Sequence, residues 1–249
     1  MSPATATRAP EASAAFDATA DGVRRSLVEL YLDHGCPWSY MAFTALSRLA
    51  PEIGIRPTWR LLPIAGDRSV AAADAGMHAA RLAAEWPEIA ASAAADFGLR
   101  LRQPIGPADG RPAAAAIHLL RGIAPDREPE AHAALFAARF EAGQDISDPA
   151  CLSALLGAFA EGFGEAFAAL APADLRAAPA EDTEQALQAG VRVVPTLVLN
   201  RRHVLLGAEP RDVLRLALAN LTSNDARGDV GPGRRAATPP NPIPRLASP

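Results

Sequence analysis

The pattern of apolar and polar positions changes period several times along the chain. Leu27–Asp33 (LVELYLD) is a short, nearly continuous β-prone run, which predicts a buried strand. From Pro37 to Leu49 the apolar positions Met41, Ala42, Ala45, Leu46 and Leu49 recur at helical spacing. Pro37 suits the first helical turn, where a missing N–H costs little. Gly54 ends this stretch, and Ile55–Leu61 (IRPTWRL) predicts a second strand with Pro57 marking an edge or a bulge. From about Ser69 to Leu175 the composition shifts to Ala, Leu, Glu, Arg and Phe. Breaks are expected at Pro87, Pro104, Pro107, Pro125, Pro149 and Pro172, which predicts several helices. Asp148-Pro149 is an N-cap followed by proline at N1. Glu181–Ala189 then reads as a helix closed by Gly190. Val191–Asn200 is β-rich, Arg201-Arg202 turns the chain, and His203–Leu206 is a partner strand. Gly207 ends that strand, and Pro210–Leu218 is a final helix.

Strand, helix, strand makes a βαβ unit with a parallel pair. The full order is βαβ, helices, α, ββ, α, an α/β arrangement. It predicts a thioredoxin fold with a helical domain inserted between the βαβ and ββα halves. The expected boundaries are 27–66 with 181–221 for the thioredoxin-like part and 67–180 for the helical insert. A flexible N-terminus covers 1–26 and a Pro-, Gly-, Arg- and Ala-rich disordered tail covers 222–249.

Composition narrows the function classes. Of 249 residues, 49% are hydrophobic and 21% charged, which suits a globular protein. The formal net charge of -4 gives no reason to expect nucleic acid or an anionic membrane as partner. Every Lys/Arg position is arginine, which reflects genome bias rather than function. The first 22 residues hold no apolar run of the secretory kind, and no stretch approaches the ~18 apolar residues of a membrane span. The expected compartment is the cytoplasm. Two cysteines, Cys36 and Cys151, stand far apart, which excludes a disulfide-stapled scaffold and leaves a reactive thiol open.

Cys36 carries the most information. It lies between the first predicted strand and its helix, in YLDHGCPWSY. A helix N-terminus offers unpaired N–H groups and a positive dipole end, which favour thiolate over thiol. With no opposing buried carboxylate expected in its motif, Cys36 is predicted to ionise below the ordinary thiol value. The position three residues on is Ser39, one helical turn away and close enough to hydrogen-bond the sulfur. Trp38 is a candidate lip for substrate or a packing residue. Cys151, in the first turn after Asp148-Pro149, is expected to be a small core residue rather than a resolving thiol. His34 lies two residues before Cys36, but Gly35 interrupts the strand that would align them. His78, His118, His132 and His203 show no ligand spacing, so no metal site is expected.

Four segments together carry a family resemblance. CPWSY (Cys36–Tyr40) is similar to the CPWCY of FrnE-like oxidoreductases, except at Ser39. FEAGQDISDPACLSALL (Phe140–Leu156), GVRVVPTLVLN (Gly190–Asn200) and GAEP (Gly207–Pro210) resemble that group's helical-domain end, cis-proline region and last helix start. The chain therefore resembles the DsbA-like thioredoxin superfamily. The resemblance implies a cis peptide before Pro195 and a substrate cleft that includes Pro37, Trp38, Val194 and Pro195. The 2-hydroxychromene-2-carboxylate isomerases and kappa-class glutathione transferases share the arrangement. They carry SPYSY or SPYSW at this site, and Ser39 matches their second serine. They tend to carry Asp-Arg after the glycine matching Gly207, where this chain has Ala208-Glu209-Pro210. By analogy with them, Glu209 is a weaker candidate for a glutathione γ-glutamyl contact.

The site is thus monothiol. Cys36 can attack a disulfide and form a mixed disulfide. Ser39 cannot resolve it, so an outside thiol, most simply glutathione as co-substrate, must do so. The expected function is a thiol–disulfide oxidoreductase with Cys36 and Ser39 as its catalytic residues and no tightly bound cofactor. The alternatives are a glutathione-dependent isomerase or transferase, and a thiol-dependent binding protein without turnover. The expected partner is a thiol or disulfide substrate; the sequence gives no oligomeric state.

Overall fold

A computed structural model of the protein describes residues 27–64, 72–105, 109–177 and 179–225. The N-terminal segment expected to be flexible lies outside the described residues, as does the tail beyond Asp225. Among the described residues, four strands form one sheet in the order β2-β1-β3-β4: β1 (Val28–Leu32), β2 (Thr58–Leu61), β3 (Thr196–Leu199) and β4 (His203–Leu206). β1 runs parallel to β2, with Leu30 opposite Trp59, and antiparallel to β3, with Leu30 opposite Leu197. β3 and β4 form an antiparallel hairpin. β2 is therefore an edge strand. Pro57 lies just outside it, so its missing N–H removes no ladder bond.

β1 is buried along its whole length because both faces of the sheet are covered. On one face Val28, Leu30 and Leu32 join the main core with Met41, Leu46 and Leu49 of α1 (Pro37–Leu49). On the other, Tyr31 packs with Val198, Val191 and Ala186 of α7 (Ala180–Gln188). Gly190 closes α7 in a left-handed conformation (φ 68°), and the Val191 amide reaches back to the Ala186 carbonyl at 2.8 Å. This is the closure that the sequence predicts.

Among the described residues, five α-helices lie between β2 and α7: α2 (Ala72–Phe97), α3 (Gly110–Ile123), α4 (Glu128–Phe140), α5 (Pro149–Leu156) and α6 (Phe163–Ala168). The break expected at Pro87 does not occur, since α2 runs through it. Proline removes one helical hydrogen bond, while Trp86 and Ile89 on either side are buried in the core. Pro125 opens a 3₁₀ turn and Pro149 sits in the first turn of α5, behind the Asp148 cap. The last helix, α8 (Arg211–Asp225), extends past the expected end at Leu218 and takes in the first residues assigned to the tail. The third strand is shorter than the β-rich run, because Val191–Pro195 forms a loop before β3.

Candidate active site

The Asp33–Cys36 loop joins β1 to α1 and is held by several backbone hydrogen bonds. Cys36 is the N-cap of α1, with Pro37 in the first turn. Its amide donates to the Asp33 carbonyl at 3.0 Å. The Asp33 carboxylate accepts from the Gly35 amide at 2.8 Å and from the Ile64 amide at 2.9 Å. The Asp33 amide in turn donates to Ser39 Oγ at 3.2 Å. Gly110, the first residue of α3, makes room for this carboxylate: a Cβ there would lie 2.2 Å from Asp33 Oδ1.

The sulfur of Cys36 faces three kinds of group. The Ser39 amide and hydroxyl and the Trp38 amide stand on the side that favours its thiolate. With its oxygen lone pair engaged by the Asp33 amide, the Ser39 hydroxyl has its proton free for the sulfur. The Val194 carbonyl lies 4.0 Å from Sγ, at the long limit for S–H···O. The Val194–Pro195 peptide is cis. Cys36, Pro37, Trp38, Ser39, Val194 and Pro195 thus come from the two ends of the chain's sheet-forming segments, and Cys36 and Val194 meet at the head of α1. Ser39 is fully buried and Trp38 is half-buried against the main core.

Expectations for both cysteines are overturned. The thiol of Cys36 is pushed up to about 11, not down. Burial is the largest cause, and the Asp33 charge adds to it; the donors from Ser39 and Trp38 pull the other way. The helix N-terminus stabilises a thiolate by a fraction of a kcal/mol to ~2 kcal/mol, and loss of hydration outweighs it here. Asp33 is the opposing buried carboxylate that the motif was not expected to hold. Cys151 departs from expectation too. It is half-exposed rather than in the core, which α5 enters through Leu152 and Leu156 instead. Its thiol faces Gln144 Oε1 at 3.9 Å, and burial, with Asp148 and Asp145, raises its pKa. Glu209 borders the apolar space formed by Leu30, Leu197, Leu205 and Leu214 beside α8.

A polar chain beneath the loop has no sequence signal of its own. His34 and His132 of α4 are both buried, with His34 Nε2 and His132 Nδ1 2.9 Å apart. His132 Nε2 lies 3.3 Å from Glu128 Oε1, and Glu128 pairs with Arg121 of α3 at 2.8 Å. Arg121 continues to the Trp59 carbonyl at 2.9 Å and to Asp182 of α7 at 3.3 Å. Asp182 accepts from the Leu61 amide and from Arg60, which pairs with Glu29 at 2.9 Å. His34 and His132 are 98 positions apart, so no local spacing could have joined them. Among the described residues no cluster of His, Cys, Asp and Glu could hold a metal ion, and no helix is long and apolar enough to cross a membrane.

Comparison with known proteins places this geometry. Residues 27–219 match the family model of the DSBA-like thioredoxin domain, and the chain belongs to that family of thiol oxidoreductases and related isomerases. It is similar to a probable DsbA oxidoreductase from Streptomyces coelicolor at 24% identity and TM-score 0.64, covering 85% of this chain and 94% of that one. The cytosolic disulfide reductase DsbM from Pseudomonas aeruginosa, solved with GSH, is 24% identical with TM-score 0.54, over 78% of this chain and 99% of that one. A 2-hydroxychromene-2-carboxylate isomerase is 22% identical with TM-score 0.57, over 82% of this chain and 100% of that one. At such identities these likenesses speak for the fold. No curated protein matches the chain.

Proposed function

As a DSBA-like chain with one cysteine at the head of α1, this protein is, we propose, a monothiol thiol–disulfide oxidoreductase. Cys36 is the nucleophile, and Ser39 steadies its sulfur. Pro37, Trp38, Val194 and Pro195 line the place of the substrate. The Cys36 thiol first loses its proton to solvent base. The thiolate attacks one sulfur of a disulfide, and the other sulfur leaves as thiolate and is protonated. The resulting mixed disulfide has no second cysteine beside it to attack. An external thiol attacks the substrate-side sulfur, which releases Cys36 and leaves that half of the substrate disulfide-bonded to the external thiol. A further equivalent of the thiol frees it and ends as the oxidised thiol, so two equivalents reduce one substrate disulfide. Glutathione is the simplest thiol of this kind. Both cysteines are free, which suits a reducing compartment such as the cytoplasm. FrnE-like chemistry and the division into 27–66 with 181–221 and 67–180 belong to the same reading.

The single observation that carries this reading is Cys36 at the N-cap of α1, its sulfur 4.0 Å from the Val194 carbonyl, with the buried Ser39 rather than a second thiol three residues on. Intact-mass measurement after treatment with oxidised glutathione tests it. One glutathione is expected on the wild type and on Cys151→Ala, none on Cys36→Ser, and reduced glutathione should remove it. An adduct that persists in Cys36→Ser and vanishes in Cys151→Ala overturns the proposal.

The raised thiol favours a second reading. A Cys36 that stays protonated at neutral pH is an S–H donor, and with Ser39 it can orient the sulfur of bound glutathione, as required of a glutathione-dependent isomerase or transferase. Tight glutathione binding with no covalent adduct selects this reading over the first.

A further inference from the structure

The two buried histidines have a definite proton order. Glu128 is held charged by its partners Arg121 and His132, and a carboxylate only accepts. His132 must therefore donate through Nε2 to Glu128. Burial keeps both rings neutral, so His132 Nδ1 is a bare acceptor. His34 must then carry its proton on Nε2 and donate it to His132 Nδ1 across 2.9 Å. The rings lie within 16° of parallel with centroids 5.0 Å apart. A nitrogen–nitrogen distance so much shorter than the centroid separation means that they meet edge to edge, as a hydrogen bond requires. Phe43, Phe136 and Trp59 surround the pair and exclude water.

His34 belongs to the loop that carries Cys36, while His132 belongs to α4. The bond between them is a side-chain tie from the helices between β2 and α7 to the backbone that sets the sulfur. The Asp33, Gly35 and Cys36 bonds knit the loop internally; the His34 bond pins it from below.

We propose that His132, oriented by Glu128, is a positioning residue that acts through His34 to hold the Cys36 loop against the Ser39 and Trp38 donors. Neither histidine touches the sulfur in this role. Without the tie, the loop relaxes toward solvent. The sulfur then gains water, becomes easier to ionise, and loses its alignment beside Val194. Reactivity toward a small alkylating agent and exchange with a disulfide should therefore move in opposite directions. A change that only weakened the fold would not produce this split. The exchange half rests on the oxidoreductase reading; the alkylation half does not.

The test compares hydrogen-bonding and apolar replacements of His34. His34→Gln keeps an N–H donor at the ε position, and His34→Leu removes it while filling space. For His34→Leu, the alkylation inflection of Cys36 should fall toward the ordinary thiol value. Its rate of mixed-disulfide formation with oxidised glutathione should fall roughly tenfold, the counterpart of one lost buried hydrogen bond. His34→Gln should stay near wild type in both. His132→Asn, which keeps an acceptor at the δ position, against His132→Leu gives the same comparison from α4 should His34→Leu fail to fold. The proposal is overturned if the Leu and Gln variants both match wild type. It is equally overturned if both are impaired to the same degree, since volume and not the hydrogen bond then matters. If wild type forms no mixed disulfide while the alkylation contrast holds, the oxidoreductase reading fails and the positioning role stands.

Discussion

Cys36 and Cys151 look alike on paper: each sits at the start of a helix, near a proline and three residues after an aspartate. Their surroundings separate them. Cys36 is walled in by Ser39, Trp38 and Val194 and ends a loop knitted by buried Asp33. Cys151, on α5, is partly exposed, as Cys36 is, and its thiol faces Gln144 Oε1. Yet both thiols are raised, Cys36 mainly by burial and Asp33, Cys151 by burial with Asp148 and Asp145. A helix N-terminus is thus a weak hand in a thiol's ionisation. Desolvation and the nearest carboxylate decide the sign, and the donors around the sulfur decide what it can do.

The largest contrast between the two sites should come from restoring the missing thiol. Ser39→Cys should close an internal disulfide with Cys36 and allow turnover without added glutathione, where wild type shows almost none. Insulin reduction with and without glutathione reports this. Wild-type turnover in the absence of any external thiol would instead point to a resolving role for Cys151, which Cys151→Ala would expose.

Next come the supports of the Cys36 loop. Ser39→Ala leaves the buried Asp33 amide without its acceptor and should cost about 1–3 kcal/mol in denaturant unfolding. Gly110→Ala drives a methyl into the Asp33 carboxylate and should cost a similar 1–3 kcal/mol. Changes of this size at Ala150 or Ala154 on α5 would erase the distinction between the two cysteine sites.

A smaller effect follows the charge at Asp33. Removing it in Asp33→Asn should bring the Cys36 alkylation inflection down from about 11, and leave that of Cys151 where it is. The linkage has a definite sign. An unfolded thiol ionises first, near 9.0, so the unfolded chain sheds protons before the native one. The Cys36 contribution to stability is therefore full below about pH 9 and lost as pH climbs toward 11. Unfolding midpoints across that window should fall for wild type and less steeply for Cys36→Ala. An inflection unchanged in Asp33→Asn would remove Asp33 as a cause.

The smallest effect belongs to Cys151 itself. Cys151→Ala should leave stability within about 0.5 kcal/mol of wild type, as for other surface substitutions. A larger loss would mean that its partial burial matters more than its exposure suggests.

Much of this was legible in the chain. The strand–helix junction at Cys36, the Gly190 closure and the hairpin turn at Arg201-Arg202 rest on local chemistry, and local chemistry is what a sequence prints. The resemblance in CPWSY and GVRVVPTLVLN foretold that Cys36 and Val194 would meet. Errors fell where long-range packing overrode local rules. Pro87 reads as a break, but Trp86 and Ile89 hold α2 together through the core. Asp33 reads as the end of a strand, and only the approach of Gly110 shows it enclosed.

By itself the sequence determined the order of elements, the cysteine at the head of α1 and the absence of a second cysteine beside it. Those facts follow from period, turn residues and residue identity, none of which needs a neighbour from afar. The tertiary structure decided the ionisation of Cys36 and the union of His34 with His132 and Glu128. It also decided that Cys151 is set apart. Each of these depends on how much water a group loses and which charges replace it, and only the folded chain fixes that.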